Sequence, residues 1–219
     1  MSELCQQIAK TLSPGMVIPN SLRKLFEWIE SNGTYIDTKN GHRIGFLFPE
    51  AEIKRSRTDK ERLGGTNIKF FAEGNENLKY WFGCESDEIL SRLCVFAKTG
   101  SDGSMAAFWL DPEGKQKIVH LGSGSGSTLV CVLAEDSVDF LRLLAIGYDE
   151  ICWDEEFDGP PNRHGEFFVH PNTDFQSWVS NTFGVSIPLT AREIVRHPAK
   201  MDDAESQDAF HRWAAGQTK

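Results

Sequence analysis

The chain has 219 residues, of which 40% are hydrophobic and 25% charged, a composition typical of a globular protein with a sizeable core. Its formal net charge of −9 argues against nucleic acid as a partner, because binding nucleic acid needs a basic footprint. No apolar run approaches the roughly 20 residues that span a bilayer, and the start of the chain lacks the pattern of a secretory signal, so we expect neither a membrane segment nor secretion.

The first third of the chain predicts two helices followed by short strands. Apolar residues at four-residue spacing predict a short helix within residues 3–12. A second amphipathic helix is predicted from residue 21 and ends at Asn32-Gly33. Residues 50–66 are polar and favour a helix or a loop. Three strands are predicted around this segment, at residues 34–36, 43–48 and 68–72.

The stretch from Ser91 to Tyr148 predicts two β-hairpins that lead into a helix. Alternating apolar residues flank Asp102-Gly103, a pair that tolerates the positive φ of a tight turn. The second hairpin pairs strands across the Gly/Ser run at 122–127. A helix follows, with Gly147 at the position of a C-terminal glycine. The two hairpins predict an antiparallel sheet.

The rest of the chain predicts mainly helices. Gly159-Pro160-Pro161 marks a boundary, after which helices are expected within 170–184, after Thr190, and over 202–216. We therefore expect an α+β domain at residues 1–158 and a C-terminal helical extension at 159–219 that packs on the same domain. Along the first hairpin, Trp109 should face outward if its neighbour faces the core, unless a helix covers it.

Four groups of residues occur in a characteristic order and spacing over roughly residues 17–148. They are Ile18–Leu22 with Phe26, Gly45–Pro49, Phe96-Ala97 with Asp102-Gly103, and Leu133-Ala134 with Ser137, Phe140 and Leu141. In this order and spacing they resemble the SUKH superfamily, a group of bacterial toxin-immunity proteins that also includes a fungal cell-wall synthesis regulator.

This resemblance implies an α+β fold, with a curved, mostly antiparallel sheet of about six strands, helices packed against it and further helices at the C-terminus. It also implies a non-enzymatic immunity protein that binds and neutralises a secreted toxin domain, such as a basic nuclease. A regulatory scaffold that binds an endogenous protein is the alternative. An enzyme with an unrecognised site is a third hypothesis.

An acidic segment predicts where a protein partner would bind. Residues 135–158 contain nine acids and a single base, Arg142, so a basic partner would be attracted to them. Trp153 lies among the charges and is expected to act as an aromatic anchor. A merely solvated charged face is the competing interpretation. The expected interface residues are Asp149, Glu150, Trp153, Asp154, Glu155, Glu156 and Asp158.

No motif predicts catalysis, a metal site or a cofactor. The glycine-rich run at 122–126 precedes a strand, whereas a dinucleotide-binding loop precedes a helix. His164 and His170 fit no ligand spacing with Cys152 and Asp154. Five widely spaced cysteines without a CxxC pair predict neither disulfides nor structural zinc, which makes the cytoplasm the expected location. The oligomeric state stays open.

Overall fold

The computed structural model describes residues 1–55, 60–162 and 168–217. His164, weighed above as a metal ligand, lies outside them. The helices are α1 (Glu3–Ala9), α2 (Asn20–Ser31), α3 (Glu50–Arg55), α4 (Leu78–Phe82), α5 (Asp87–Arg92), α6 (Ser137–Ile146), α7 (Thr173–Phe183) and α8 (Ala209–Ala215). The strands are β1 (Tyr35–Asp37), β2 (Arg43–Gly45), β3 (Glu61–Leu63), β4 (Lys69–Gly74), β5 (Leu93–Lys98), β6 (Met105–Leu110), β7 (Gln116–Leu121), β8 (Val130–Ala134) and β9 (Phe168–His170).

Seven strands form one open antiparallel sheet in the order β1-β2-β4-β5-β6-β7-β8. Register shifts interrupt the pairing of β4 with β5, of β5 with β6 and of β7 with β8. Such irregularities bend a sheet locally. A separate parallel pair joins β3 to β9. The predicted α+β class with a mainly antiparallel sheet is confirmed, with seven strands rather than about six.

Both predicted hairpins are present. In the first, β5 pairs with β6 so that Leu93 lies opposite Trp109, and Gly103 has a φ of +100° in the connecting loop. In the second, β7 pairs with β8 across the Gly/Ser run. The helix α6 follows, with the Asp136 carboxylate capping the amides of Val138 and Asp139.

Helices cover both faces of the sheet. On the first face, the core includes side chains from α1, α2, α6 and α7, and the Phe96 and Phe108 rings stack at 4.3 Å. On the second face, α4, α5 and α8 contribute to a separate core. Trp109 belongs to this second core and is only 1% exposed, with the Phe210 ring of α8 at 5.2 Å. Because Phe108 and Trp109 point to opposite faces of the sheet, a helix must cover Trp109, and α8 does so.

The predicted strand at residues 43–48 ends at Gly45, and two segments of the C-terminal part also need correction. The last helix begins at Ala209 rather than at residue 202, because the Asp208 side chain caps it by accepting a hydrogen bond from the His211 amide. The segment after Thr190 forms a short 3-10 turn, Ala191–Glu193, with the predicted capping box. Because α8 packs on β8, the C-terminal part of the chain contacts the main sheet directly. The domain division at residue 158 stays a prediction.

Candidate functional site

Four segments meet at one end of the sheet, which we call the hairpin-loop end. They are the loop 99–104 between β5 and β6, the loop 122–129 between β7 and β8, the acidic loop 149–158 and the tail segment 199–203. The Ile151 amide donates to the Thr99 carbonyl at 3.0 Å, and the Met201 amide donates to the Thr128 carbonyl at 2.9 Å. The Ser127 hydroxyl donates to the Cys152 carbonyl at 2.5 Å, so the acidic loop is supported by both hairpin loops.

Asp102 joins the two hairpin loops. Its carboxylate accepts hydrogen bonds from the backbone amides of Ser104 and Ser127 and from the hydroxyls of Ser104 and Ser123, at 2.7–3.0 Å. Partial burial alone would raise the pKa of Asp102, but these hydrogen bonds outweigh it and hold the pKa below its usual value. An ionised carboxylate thus fixes the shape of the Gly/Ser loop.

His120 makes a second link behind this loop. Its Nε2 atom lies 2.9 Å from the Thr99 hydroxyl and its Nδ1 atom 2.8 Å from the Leu129 carbonyl. Burial lowers the pKa of His120 to about 4, so the ring is neutral near pH 7. Because a carbonyl only accepts, Nδ1 carries the proton and Nε2 accepts from Thr99. The ring is fully buried, which makes it a structural group.

Asp149, the first predicted interface residue, points inward. Its carboxylate accepts from the Thr66 hydroxyl at 2.5 Å, from the Asn67 side-chain amide at 3.2 Å and from the Arg62 guanidinium at 3.2 Å. Its side chain is only 12% exposed. Asp149 therefore fastens the start of the acidic loop to the segment between β3 and β4.

Glu150 fixes both the loop and Trp153. One carboxylate oxygen accepts from the Ser101 amide at 2.8 Å, and the other accepts from the Trp153 indole N–H at 2.9 Å. Trp153 is half-buried, so part of its indole stays accessible while its orientation is set. Cys152 beside it is buried, which raises the pKa of its thiol far above the usual value and makes it a poor nucleophile.

Three of the later acids of the loop, Asp154, Glu155 and Asp158, pair with cations from the C-terminal part of the chain. Lys200 lies 2.6 Å from Glu155 and 3.5 Å from Asp154. Arg192 lies 2.7 Å from Asp158. The Glu155 and Asp158 side chains are 63% and 61% exposed. The hydrogen bond from Lys200 lowers the pKa of Glu155, whereas burial and the Glu155 charge raise that of Asp154.

Glu156 differs both from the inward-facing acids Asp149 and Glu150 and from the acids that pair with Lys200 and Arg192. It is half-buried, and none of the described residues donates a hydrogen bond to its carboxylate. Burial, reinforced by the charges of Glu150, Asp149 and Glu155, raises its pKa. Glu156 is therefore a carboxylate of the described surface that an added cation would stabilise.

A groove of about 530 Å³ begins directly beyond the acidic loop. Its apolar walls come from Pro160 and Pro161, from the end of α6 and from the segment before the 3-10 turn, where Leu189 is strongly exposed. Its polar wall is α7. The lining residues are Ile146, Pro160, Pro161, Gln176, Ser177, Ser180, Asn181, Ile187, Pro188 and Leu189.

The seven predicted interface residues thus share one loop but have different environments. Sequence reasoning missed the cations that pair with them, Lys200 and Arg192, and the exposed Met201 beside the Gly/Ser loop. Only the fold brings these residues to the hairpin-loop end, because 34 to 45 residues separate each cation from its carboxylate.

Within residues 1–55, 60–162 and 168–217, no three His, Cys, Asp or Glu side chains are arranged to hold a metal ion. His170 instead lies 3.3 Å from Glu61 across the β3–β9 pair. None of the described helices combines the length and the apolar character needed to cross a bilayer. No family model, curated protein or solved structure matches the chain.

Proposed function

We propose that this chain is a non-enzymatic binding protein, an immunity protein that uses its acidic loop to bind and neutralise a basic toxin domain in the cytoplasm. One observation carries the proposal. The loop that presents Glu155 and Asp158 to solvent is itself held in place by the inward-facing Asp149 and Glu150.

A preformed loop suits fast and tight association. Its backbone is already ordered, so binding costs less conformational entropy than it would for a mobile loop. Exposed carboxylates steer a basic partner by long-range attraction. The indole of Trp153, oriented by Glu150, supplies an aromatic surface of the kind that dominates the energy of many interfaces.

Glu156 gives the interface a specific electrostatic contact. A partner lysine or arginine that reaches it would pair with a carboxylate that has no donor among the described residues. Glu155 and Asp158 already have Lys200 and Arg192, so a partner cation must compete with these for them. The groove beyond Pro160 would accept an apolar side chain of the same partner.

A growth assay tests this proposal. The proposal predicts that a toxin domain is encoded beside the gene for this chain. That domain is expressed alone, with the wild-type chain, and with a Glu155→Lys/Glu156→Lys variant. We expect the wild-type chain to restore growth and the charge-reversed variant to restore it poorly, because two new lysines repel a basic surface. A Glu76→Lys/Glu113→Lys variant carries the same charge change on two exposed glutamates at the opposite end of the sheet and should protect fully.

Toxicity that persists beside well-expressed wild-type protein would contradict the immunity proposal. Equal protection by both double variants would instead show that the toxin is bound elsewhere on the surface.

A further inference from the structure

The two outer edges of the seven-stranded sheet are built differently. At one edge, β1 has three residues, and Asp37 in it pairs with Arg43 at 2.8 Å. A short, charged strand discourages pairing with another chain. At the other edge, β8 has five residues, Val-Cys-Val-Leu-Ala, all buried and without charge. An uncharged apolar strand of this kind would pair readily with another strand if it were uncovered.

The C-terminal tail occupies the backbone groups of this second edge. The Val130 amide donates to the Ala199 carbonyl at 2.7 Å, and Leu129 and Lys200 form an isolated antiparallel bridge. Further along, the Val132 amide donates to the Asp208 carboxylate at 2.9 Å. The other oxygen of this carboxylate accepts from the His211 amide at 2.8 Å. Asp208 therefore ties the edge of the sheet to the start of α8.

The contact between α8 and the sheet combines aromatic packing with buried polar atoms that lack hydrogen bonds. The aromatic rings of Phe210 and Trp213 lie 5.2 Å and 5.7 Å from the ring of Trp109. Two buried polar atoms at this contact, Nε1 of Trp109 and Nδ1 of His211, have no hydrogen-bond partner among the described residues. Buried polar atoms without partners destabilise the contact that buries them, and opening α8 would return both to water.

We propose that residues 199–217 form a strap that opens as a unit while the rest of the sheet stays folded, and that in its closed state it prevents β8 from pairing with β8 of a second copy of this chain. The second copy is the occupant that the geometry favours. An antiparallel strand edge is self-complementary about a two-fold axis, so two opened copies would bring identical apolar strands together. The strap begins beside the acidic loop, because Lys200 pairs with Glu155. Its far end, held by the hydrogen bond from Val132 to Asp208, lies outside the proposed partner interface.

Hydrogen exchange on the full-length protein tests the opening. We expect the Val132 amide and the α8 amides to exchange together, at least about tenfold faster than the amides of β6, which is paired on both sides. Low guanidinium concentrations should leave this difference in place, as expected for a local opening. If the amides of α8 and β6 exchange at one common rate, the strap does not open separately from the sheet. This measurement uses only the wild-type chain.

An Asp208→Ala variant tests the consequence of opening. It removes both hydrogen bonds of the carboxylate, so exchange of Val132 and α8 should rise about tenfold or more while β6 changes less than about twofold. Sedimentation should then show a dimer whose population rises with protein concentration. Glu205→Ala, at an exposed position on the same tail, is the matched control and should stay wild-type in both measurements. An opened variant that stays monomeric at every concentration would overturn the role of the strap.

Discussion

The carboxylates at the hairpin-loop end fall into two sets that behave differently. An anchor set, Asp102, Asp149 and Glu150, accepts hydrogen bonds from neighbouring loops. An outer set, Asp154, Glu155, Glu156 and Asp158, lies later in the loop. Lys200 pairs with Asp154 and Glu155, and Arg192 pairs with Asp158. Asp149 and Glu155 are only six positions apart, yet Asp149 holds the loop in place and Glu155 presents its charge to solvent.

This contrast explains how an acidic surface can stay ordered. Adjacent negative charges repel, and an unsupported acidic loop would spread into solvent. Here the anchor set accepts hydrogen bonds from neutral and charged donors of neighbouring segments, and the outer set rests on it. Changes to the anchor set should therefore reduce stability, and changes to the outer set should reduce binding.

The largest expected effect concerns His120, which supports the same loops as the anchor set. Its folded pKa of about 4 lies below the unfolded value near 6.5, so it contributes stability above pH 6.5 that is lost as the pH falls toward 4. At about 1.4 kcal/mol per pKa unit, the loss is about 3 kcal/mol. Urea unfolding of the wild-type chain and of His120→Gln at several pH values measures it. At neutral pH the variant should be less stable than the wild type, but its free energy of unfolding should change less between pH 6.5 and pH 4. If the two proteins lose stability in parallel over this range, the lowered pKa of His120 is contradicted.

Removal of Asp102 should cost about 2 kcal/mol, because donors of both hairpin loops lose their acceptor. Urea unfolding of Asp102→Ala measures the loss. Asp102→Asn keeps one oxygen acceptor and should cost less. If both variants unfold with the wild-type midpoint, Asp102 does not join the loops.

A substitution at Gly103, in the turn beside Asp102, should reduce the free energy of unfolding less, and only through the backbone conformation. Gly103 has a φ of +100°, and an added Cβ would meet no atom within 4 Å. Gly103→Val should therefore cost about 1–2 kcal/mol through strain alone, and thermal unfolding measures it. Gly103→Asn tolerates positive φ better and should melt closer to the wild-type protein. Identical melting temperatures for Val and Gly would place the turn elsewhere.

The smallest stability effect belongs to the outer set. Glu155→Gln/Glu156→Gln should change the free energy of unfolding by less than about 0.5 kcal/mol, since exposed ion pairs contribute little. Chemical unfolding checks this value. A loss as large as that of Asp102→Ala would mean that these glutamates also anchor the loop.

Local patterns in the sequence predict the hairpins and most helices. Alternation of apolar residues and the Asp102-Gly103 pair define the first hairpin, because a tight turn is decided by its own residues. The start of α8 was misplaced, since it depends on Asp208, which also bonds Val132 on a distant strand. The helix α5 was missed because it is only six residues long and the side chain of Ser86, which precedes it, makes no capping hydrogen bond.

For the candidate site, the sequence predicts which loop carries the acids but not the environment of each carboxylate. Trp153 and the six acids do lie on one loop, because they are close in sequence. Their division into anchor and outer sets depends on Thr66, Ser101 and Lys200, which are far away along the chain. No pattern of charge reveals which carboxylate meets such a donor. The structure supplies that distinction.

The rate of association with the toxin domain that the proposal places beside this gene tests the central claim most directly. The proposal predicts a fast on-rate for the wild-type chain that falls with ionic strength. Glu155→Gln/Glu156→Gln should slow it about tenfold at low salt and flatten its salt dependence, while Glu76→Gln/Glu113→Gln at the opposite end should stay within about twofold of wild type. Equal on-rates for the two double variants at low salt would contradict the claim that the acidic loop binds the partner.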